Sequence, residues 1–315
     1  MKRSKPEVFI VAAISAAGAC FAQPNEPCFA FLLKGDVTTV CQGKTSQITH
    51  RGDIESFAVS EELSSLAYAT SQITKRDAVS ALVAYTATVV SLKTGASKRI
   101  EGVARLVSTC GGILGDQVGP RTSGRDVVTG EDLNFSPYTF FRCSADRRVV
   151  AGFVKDGDTK DQIRDLYEGI PPSTKIAAVG DVSTFIRNFN VSPDGSKVAW
   201  FGDVRALCLL SGTGPAQCVD HSTMDDPVSV SNSGEVLVAD GTGEGCLYKN
   251  SYDFSPPRRG ETANDECLGI GYWKPGLKSI EFLEPIGRNP QWLSSGAADL
   301  LGKWSITAPR RNAPN

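Results

Sequence analysis

Residues 189–200 read FNVSPDGSKVAW, two short apolar runs on either side of a Ser-Pro-Asp-Gly segment. Proline presets φ at one position of a tight turn, and glycine accepts the positive φ that another position requires. Apolar residues alternate up to Val191 and resume at Val198, which is typical of strands. This stretch therefore predicts two strands joined by a tight turn.

The same pattern recurs when each copy is aligned on the residue that corresponds to Ser192. Six serines, 36 to 63 residues apart, mark the copies: Ser60, Ser108, Ser144, Ser192, Ser231 and Ser294. An apolar residue precedes each serine: Val59, Val107, Cys143, Val191, Val230 and Leu293. Another follows six positions later: Leu66, Leu114, Val150, Val198, Leu237 and Leu300. The mean spacing of about 47 residues suits one four-stranded propeller blade per copy.

The two ends of the chain each supply half of one blade. An outer hairpin over residues 28–41 precedes the first copy, and an inner strand pair around Ser294 ends near Ile306. Pairing the N-terminal outer hairpin with the C-terminal inner strands would close a ring and remove exposed sheet edges. We therefore predict an all-β, six-bladed β-propeller over residues 23–306, with a disordered tail over residues 307–315. Seven blades are the alternative, and they require a further copy between Ser231 and Ser294.

The segment from Phe189 to Trp200 resembles the repeat of TolB-type propellers, which is also common in the propeller domains of prolyl oligopeptidases and dipeptidyl peptidases. The match is close from Ser192 to Trp200, partial around Ser231 and Ser60, and weak in the other copies. The resemblance implies a propeller of six to eight blades. It carries no functional residues across, because the motif is structural, and no hydrolase domain is expected after the propeller.

The N-terminus has the features of an export signal. Lys2, Arg3 and Lys5 precede an apolar run over residues 8–19, which is too short to span a hydrocarbon core of ~30 Å. Cleavage after Ala22 predicts a signal peptide over residues 1–22. Lipid attachment at Cys20 and a retained segment are the alternatives. We expect an exported protein, periplasmic or extracellular, with no membrane span after the signal.

The cysteines agree with export. Processing by either route removes Cys20 from the nine cysteines, and an even number in an exported chain indicates disulfides. The candidates are Cys28, Cys41, Cys110, Cys143, Cys208, Cys218, Cys246 and Cys267. Sequence neighbours form local pairs, with Cys28–Cys41 and Cys208–Cys218 across hairpins, although eight cysteines allow 105 pairings. A zinc site is not expected, because there is no Cys-x-x-Cys pair.

The titratable residues form no recognisable catalytic set. His50 and His221 are the only histidines, and no Gly-x-Ser-x-Gly elbow is present. Other acidic or glycine-rich segments are typical of turns: residues 156–161, which resemble part of a calcium loop, residues 225–226, residues 265–266 and residues 241–245. We predict no catalytic residue, no metal and no cofactor.

A long insertion is the predicted contact surface. Residues 250–266 lie between two predicted strands, with Cys246 and Cys267 at the base. Long loops on rigid scaffolds are frequently functional. The loop contains the residue types of interface hot spots, namely Tyr252, Phe254, Arg258 and Arg259. Residues 115–134 form a second candidate insertion.

These observations favour a binding protein over an enzyme. The formal net charge of −2 gives no reason to expect nucleic acid or an anionic membrane as the partner. The first hypothesis is an exported propeller that acts as a protein-interaction scaffold or binding module. The alternative is an enzyme of the lyase, glycosidase or lactonase type, with its active site in the propeller channel. A channel lined with convergent acids would favour the enzyme, and a channel filled with side chains would favour the scaffold.

Overall fold

The computed structural model of the protein describes residues 28–76, 81–101, 103–110, 112–117, 123–136, 138–145, 150–154, 165–169, 172–178, 189–201, 206–220, 229–240 and 269–307. Across these residues the chain forms 24 strands and one helix. The all-β class predicted from the sequence is confirmed. The predicted signal segment, residues 1–22, lies outside the described residues.

The strands pair into six four-stranded antiparallel sheets in the described part of the chain. Sheet I contains β4 (Ile54–Ser60), β5 (Ser65–Arg76), β6 (Ala81–Ser91) and β7 (Ser97–Glu101). Sheet II contains β8 (Val103–Thr109), β9 (Ile113–Gln117), β10 (Ser123–Asp126) and β11 (Asp132–Asn134). Sheet III contains β12 (Tyr138–Cys143), β13 (Val150–Val154), β14 (Asp165–Glu168) and β15 (Thr174–Ala178).

The other three sheets follow the same plan, but the last one combines both ends of the described chain. Sheet IV contains β16 (Phe189–Val191), β17 (Lys197–Phe201), β18 (Ala206–Ser211) and β19 (Gln217–Asp220). Sheet V contains β20 (Ser229–Val230), β21 (Val236–Asp240), β22 (Gly269–Trp273) and β23 (Glu281–Ile286). Sheet VI has the order β24 (Arg288–Leu293), β1 (Cys28–Leu33), β2 (Asp36–Cys41) and β3 (Lys44–Gln47).

The repeated serine marks the turn between the first two strands of a sheet. In sheet IV the buried Ser192 hydroxyl donates to Asp194 at 2.7 Å and accepts the Lys197 amide at 3.0 Å. The Ser231 hydroxyl likewise accepts the Glu235 amide at 2.9 Å in sheet V. The side chain thus satisfies groups that the turn leaves without a ladder partner, which explains why serine recurs at this place.

Each sheet is buried on both faces, and each face packs against a different neighbour. Separate apolar clusters lie between sheets VI and I, I and II, II and III, III and IV, IV and V, and V and VI. In sheet I, Phe57 and Leu66 face sheet VI, whereas Ala58 and Ala67 face sheet II. Alternate residues of one strand therefore enter two different cores, as the pleat of a strand requires.

Strand β24 joins three sheets. It pairs antiparallel with β1, so that Gln291 lies opposite Ala30. The Gln291 carboxamide accepts the Val59 amide and donates to the Val59 carbonyl, both at 3.0 Å, and so bonds sheet I as a strand would. On its other side, Trp292 donates its backbone amide to Ser229 and its indole N–H to the Glu235 carbonyl, both in sheet V.

The predicted second inner strand after Ser294 is wrong, because residues Ser295–Thr307 form helix α1. Ser294 is the N-cap: its hydroxyl oxygen accepts the Ala297 amide at 3.1 Å. The Ser294 hydroxyl also donates to the Glu61 carboxylate of sheet I. Ala297 and Leu301 are buried in the cluster between sheets VI and I, with Trp304 packed against it. Spacings of four and three residues put these side chains on one helical face, and that period overrides the strand repeat.

Two other predictions from the sequence are wrong. Residues 115–134 are not an insertion in their described part, because they include the end of β9 and all of β10 and β11. The spacing of Ile163, Leu166 and Tyr167 in the sequence predicts a short helix over residues 159–167, but Leu166 and Tyr167 lie in strand β14. The outer strands of sheet II, β10 and β11, therefore lie in a glycine-rich segment in which the alternation typical of strands is weak.

Three disulfides lie in the described residues: Cys28–Cys41, Cys110–Cys143 and Cys208–Cys218. The first and third cross hairpins, which confirms the two predicted pairs. Cys110 and Cys143 instead join sheet II to sheet III, inside a cluster in which Phe135 stacks on Phe141 with ring centroids 3.8 Å apart. Cys246 and Cys267 lie outside the described residues, and their pairing stays a prediction.

Removing the disulfide between sheets should cost more stability than removing a hairpin disulfide. Cys110–Cys143 closes a segment of 33 residues and Cys208–Cys218 one of 10, so restriction of the unfolded chain predicts losses of about 4 and about 3 kcal/mol. Urea unfolding of Cys110→Ala/Cys143→Ala and of Cys208→Ala/Cys218→Ala measures both. A larger loss for the second variant would contradict this ranking.

Candidate binding surfaces

The six sheets have two unlike ends. At the turn end of a sheet, as we name it, the first strand turns into the second and the third into the fourth. The turn ends of neighbouring sheets lie side by side: the Ala145 amide donates to the Pro193 carbonyl at 2.7 Å, and the Asp194 amide donates to Asn232 at 3.0 Å. The connections between second and third strands, and from one sheet to the next, leave from the opposite end, which we name the connection end.

Acidic side chains at the turn end are engaged by their own turns. Asp194 accepts hydrogen bonds from the hydroxyls of Ser192 and Ser196 and from the Ser196 amide. Although partial burial raises the pKa of the Asp194 carboxyl, these hydrogen bonds outweigh it and lower the pKa below its usual value. Glu62 accepts from Ser60 in the same manner at 3.1 Å. These carboxylates therefore stabilise turns.

A polar cluster at the turn end of sheet V connects it to sheet VI. The Tyr272 hydroxyl donates to Glu235 Oε1 at 3.1 Å, and Ser233 donates to Glu235 Oε2 at 3.0 Å. The Trp292 ring lies edge-on to Tyr272, with centroids 6.3 Å apart. Burial, together with the Glu235 carboxylate, raises the pKa of Tyr272 to about 12. The phenol is thus kept neutral as a hydrogen-bond donor that positions Glu235.

Alkaline pH should weaken the fold partly through Tyr272. A folded-state pKa of about 12 lies above the ordinary value of 10.0, so this stabilisation is complete below pH 10 and is lost as the pH rises to 12. Between pH 10 and 12 the free energy of unfolding should fall less in Tyr272→Phe than in the wild type. Urea midpoints across that range measure the difference, and parallel curves for the two proteins would contradict it.

A shallow depression lies at the turn end between sheets I and II. Its volume is about 250 Å³, and it is lined by Ser65, Val89, Ser91, Ala96, Ser97, Lys98, Val127 and Val128. We call it the Val89 depression. Val89 and Val127 are buried in the cluster between the two sheets, and Val128 packs against that cluster. Small side chains at Ser65, Ser91 and Ala96 leave the space above them unfilled.

The structure tests few of the residues selected from the sequence. His50 is exposed beside the ion pair that joins Arg51 and Asp53 at 2.9 Å. The predicted contact residues Tyr252, Phe254, Arg258 and Arg259 lie outside the described residues, as do His221 and the acidic or glycine-rich segments over residues 156–161, 225–226, 241–245 and 265–266. The predicted contact loop therefore stays a prediction.

Within the described ranges, no three His, Cys, Asp or Glu side chains lie close enough to hold a metal ion. Over the same ranges, no helix is long and apolar enough to cross a membrane. The sequence did not indicate the Val89 depression, because it is formed by small residues from two sheets.

No protein-family model matches the chain, and no curated protein matches it.

Proposed function

We propose that the protein is an exported, six-bladed β-propeller that acts as a protein-interaction scaffold. In this proposal each of the six sheets is one blade. The six apolar clusters support it, because they link the sheets in the cyclic order I to VI and back to I. The composition of sheet VI supports it further, since a blade made from both chain ends is a known way to close a propeller.

The proposed relationship to TolB-type propellers rests on the Ser192 turn. Its serine, aspartate and glycine have separate roles there: Ser192 and Asp194 bond each other, and Gly195 has a positive φ of 74°. The turn is therefore a local structural motif whose residues are occupied within the sheet. For this reason the proposed likeness concerns architecture and supplies no functional residue.

Export is proposed from the disulfides and the N-terminal sequence. The three disulfides of the described residues are typical of an oxidising compartment. A signal peptide over residues 1–22 would deliver the chain to the periplasm or the extracellular space, and Cys20 offers lipid attachment as the alternative. In either case the folded sheets would face an aqueous, oxidising environment.

The connection end is the proposed binding surface. The carrying observation is the asymmetry of the two ends: hydrogen-bonded turns occupy the turn end, whereas β21 and β22 are joined from the connection end by residues 241–268. Binding residues are concentrated on loops that a rigid framework positions. We therefore propose that Tyr252, Phe254, Arg258 and Arg259 contact a protein partner.

A crosslinking experiment tests this assignment. The mature protein is crosslinked in its native envelope or secretome, beside a variant lacking residues 251–265 and a variant with alanine at the four contact positions. The control is Lys274→Ala/Lys278→Ala, which removes two exposed cations from the turn end of the same sheet. We expect a partner that is captured by the wild type and the control but lost from both loop variants.

Capture of the same partner by all variants would contradict the choice of loop and retain the scaffold. Absence of any reproducible partner would contradict the scaffold itself. The folded state of each variant is checked by its urea midpoint, so that loss of binding is separated from loss of structure.

A further inference from the structure

The Val89 depression combines an apolar wall with a cation that forms no ion pair with any carboxylate of the described residues. Lys98 lies directly opposite Val89 in the pairing of β6 with β7, so both side chains leave the same face of sheet I, toward sheet II. Arg51, Arg99 and Arg125 are each paired with an acidic side chain. Over the described residues, no such ion pair involves Lys98, whose side chain is exposed.

Two serine hydroxyls lie on the same face of sheet I as Lys98. Ser91 lies at the end of β6, two residues after Val89, and therefore shares the face of sheet I from which Lys98 leaves, whereas Ser97 lies opposite Val90 and leaves the other face. The Ser91 hydroxyl oxygen accepts the Thr94 amide at 3.3 Å and so keeps its own proton available for donation. Ser65 instead donates to the Leu63 carbonyl at 2.9 Å. Thus an ammonium group and serine hydroxyls converge beside a valine wall.

These groups fit a ligand that carries a carboxylate next to an aliphatic group. Ammonium and hydroxyl donors bind a carboxylate strongly because the hydrogen bonds are charge-assisted. The volume of about 250 Å³ is below the range of drug-sized sites, roughly 300–1,000 Å³, and suits a single aliphatic side chain. The C-terminal residue of a polypeptide has both parts at this size.

The position of the depression favours a polypeptide over a free fatty acid. It borders β7, the outermost strand of sheet I. The outer edge of such a strand presents backbone donors and acceptors that an extended peptide can pair with and an alkyl chain cannot. We propose that the Val89 depression binds the C-terminal residue of an extended polypeptide, with its aliphatic side chain against Val89, Val127 and Val128 and its carboxylate on Lys98 and Ser91.

Fluorescence anisotropy tests the proposal with a labelled hexapeptide that ends in Thr-Val with a free carboxylate. The comparison peptide has the same sequence with a C-terminal amide, and hexanoate serves as a competitor. We expect saturable binding of the free-acid peptide, with about tenfold weaker binding of the amide and of the free acid to Lys98→Gln, because each change removes a charge-assisted contact. Lys93→Gln, an exposed lysine of the same turn that does not line the depression, should bind like the wild type.

Equal affinity for the acid and amide peptides, equal effects of the two lysine variants, or no saturable binding would each overturn the proposal. Competition by hexanoate as strong as that by the unlabelled peptide would overturn the polypeptide source and indicate a fatty acid. The depression lies at the turn end, whereas the strands that flank the predicted contact loop, β21 and β22, meet it at the connection end. A negative result in the peptide-binding experiment therefore leaves the proposed scaffold untouched, and a negative result in the crosslinking experiment leaves the proposed peptide site untouched.

Discussion

Strand β24 pairs with β1 although the two strands stand near opposite ends of the described chain. A chain that builds four-stranded sheets in succession leaves one face of its first sheet and one face of its last without a neighbour. Sheet VI covers both faces, since Phe29 and Phe31 pack toward sheet V while Ala30 and Leu32 pack toward sheet I. The burial of those two faces therefore depends on a pairing that forms only after nearly the whole described chain has been made.

The hydrogen bonds of β24 explain how one strand can join three sheets. Its backbone pairs with β1 and, at Trp292, also donates to Ser229 of sheet V, while its side chains bond the neighbouring sheets. Gln291 provides a donor and an acceptor to Val59, and Trp292 reaches the Glu235 carbonyl. Helix α1 then adds Leu301 to the core between sheets VI and I, capped by Ser294 and linked to Glu61. The C-terminal part of the described chain therefore bonds or packs against sheets V, VI and I at once.

The sequence predicted the all-β class and several antiparallel hairpins because its decisive signals are local. The turn at Ser192 and the hairpin cysteines Cys208 and Cys218 each depend on residues close in sequence. The helix after Ser294 was missed because Leu300 satisfies both the strand repeat and a helical face, and only the packing of Ala297 and Leu301 decides between them. Gln291 stands three residues before the repeated serine, where other copies have an apolar residue such as Phe57 or Phe189. It is polar because it bonds the backbone of a distant sheet.

The candidate sites were less predictable because they combine residues that lie far apart in the sequence. The Val89 depression brings Lys98 of sheet I near Val128 of sheet II, and the vacant space results from small residues such as Ala96. No spacing rule links these positions. Lys98 differs from Arg125, which is paired with an acid in the fold, and the sequence does not show which cations are paired. The contact loop, by contrast, was selected from its length and its residue types, and its role rests on the proposed connection-end surface.

The pairing of the two chain ends can be measured directly by an engineered crosslink between Ala30→Cys and Gln291→Cys. These residues are register partners, and partners on antiparallel strands have Cα atoms about 4.5–5.5 Å apart, within the range that a disulfide can bridge. The control pair is Thr39→Cys with Ser46→Cys, which are partners inside sheet VI. Mass spectrometry of the digested, unreduced protein should find a peptide that links positions 30 and 291. Formation of the control crosslink without the 30–291 crosslink would contradict the pairing of β1 with β24.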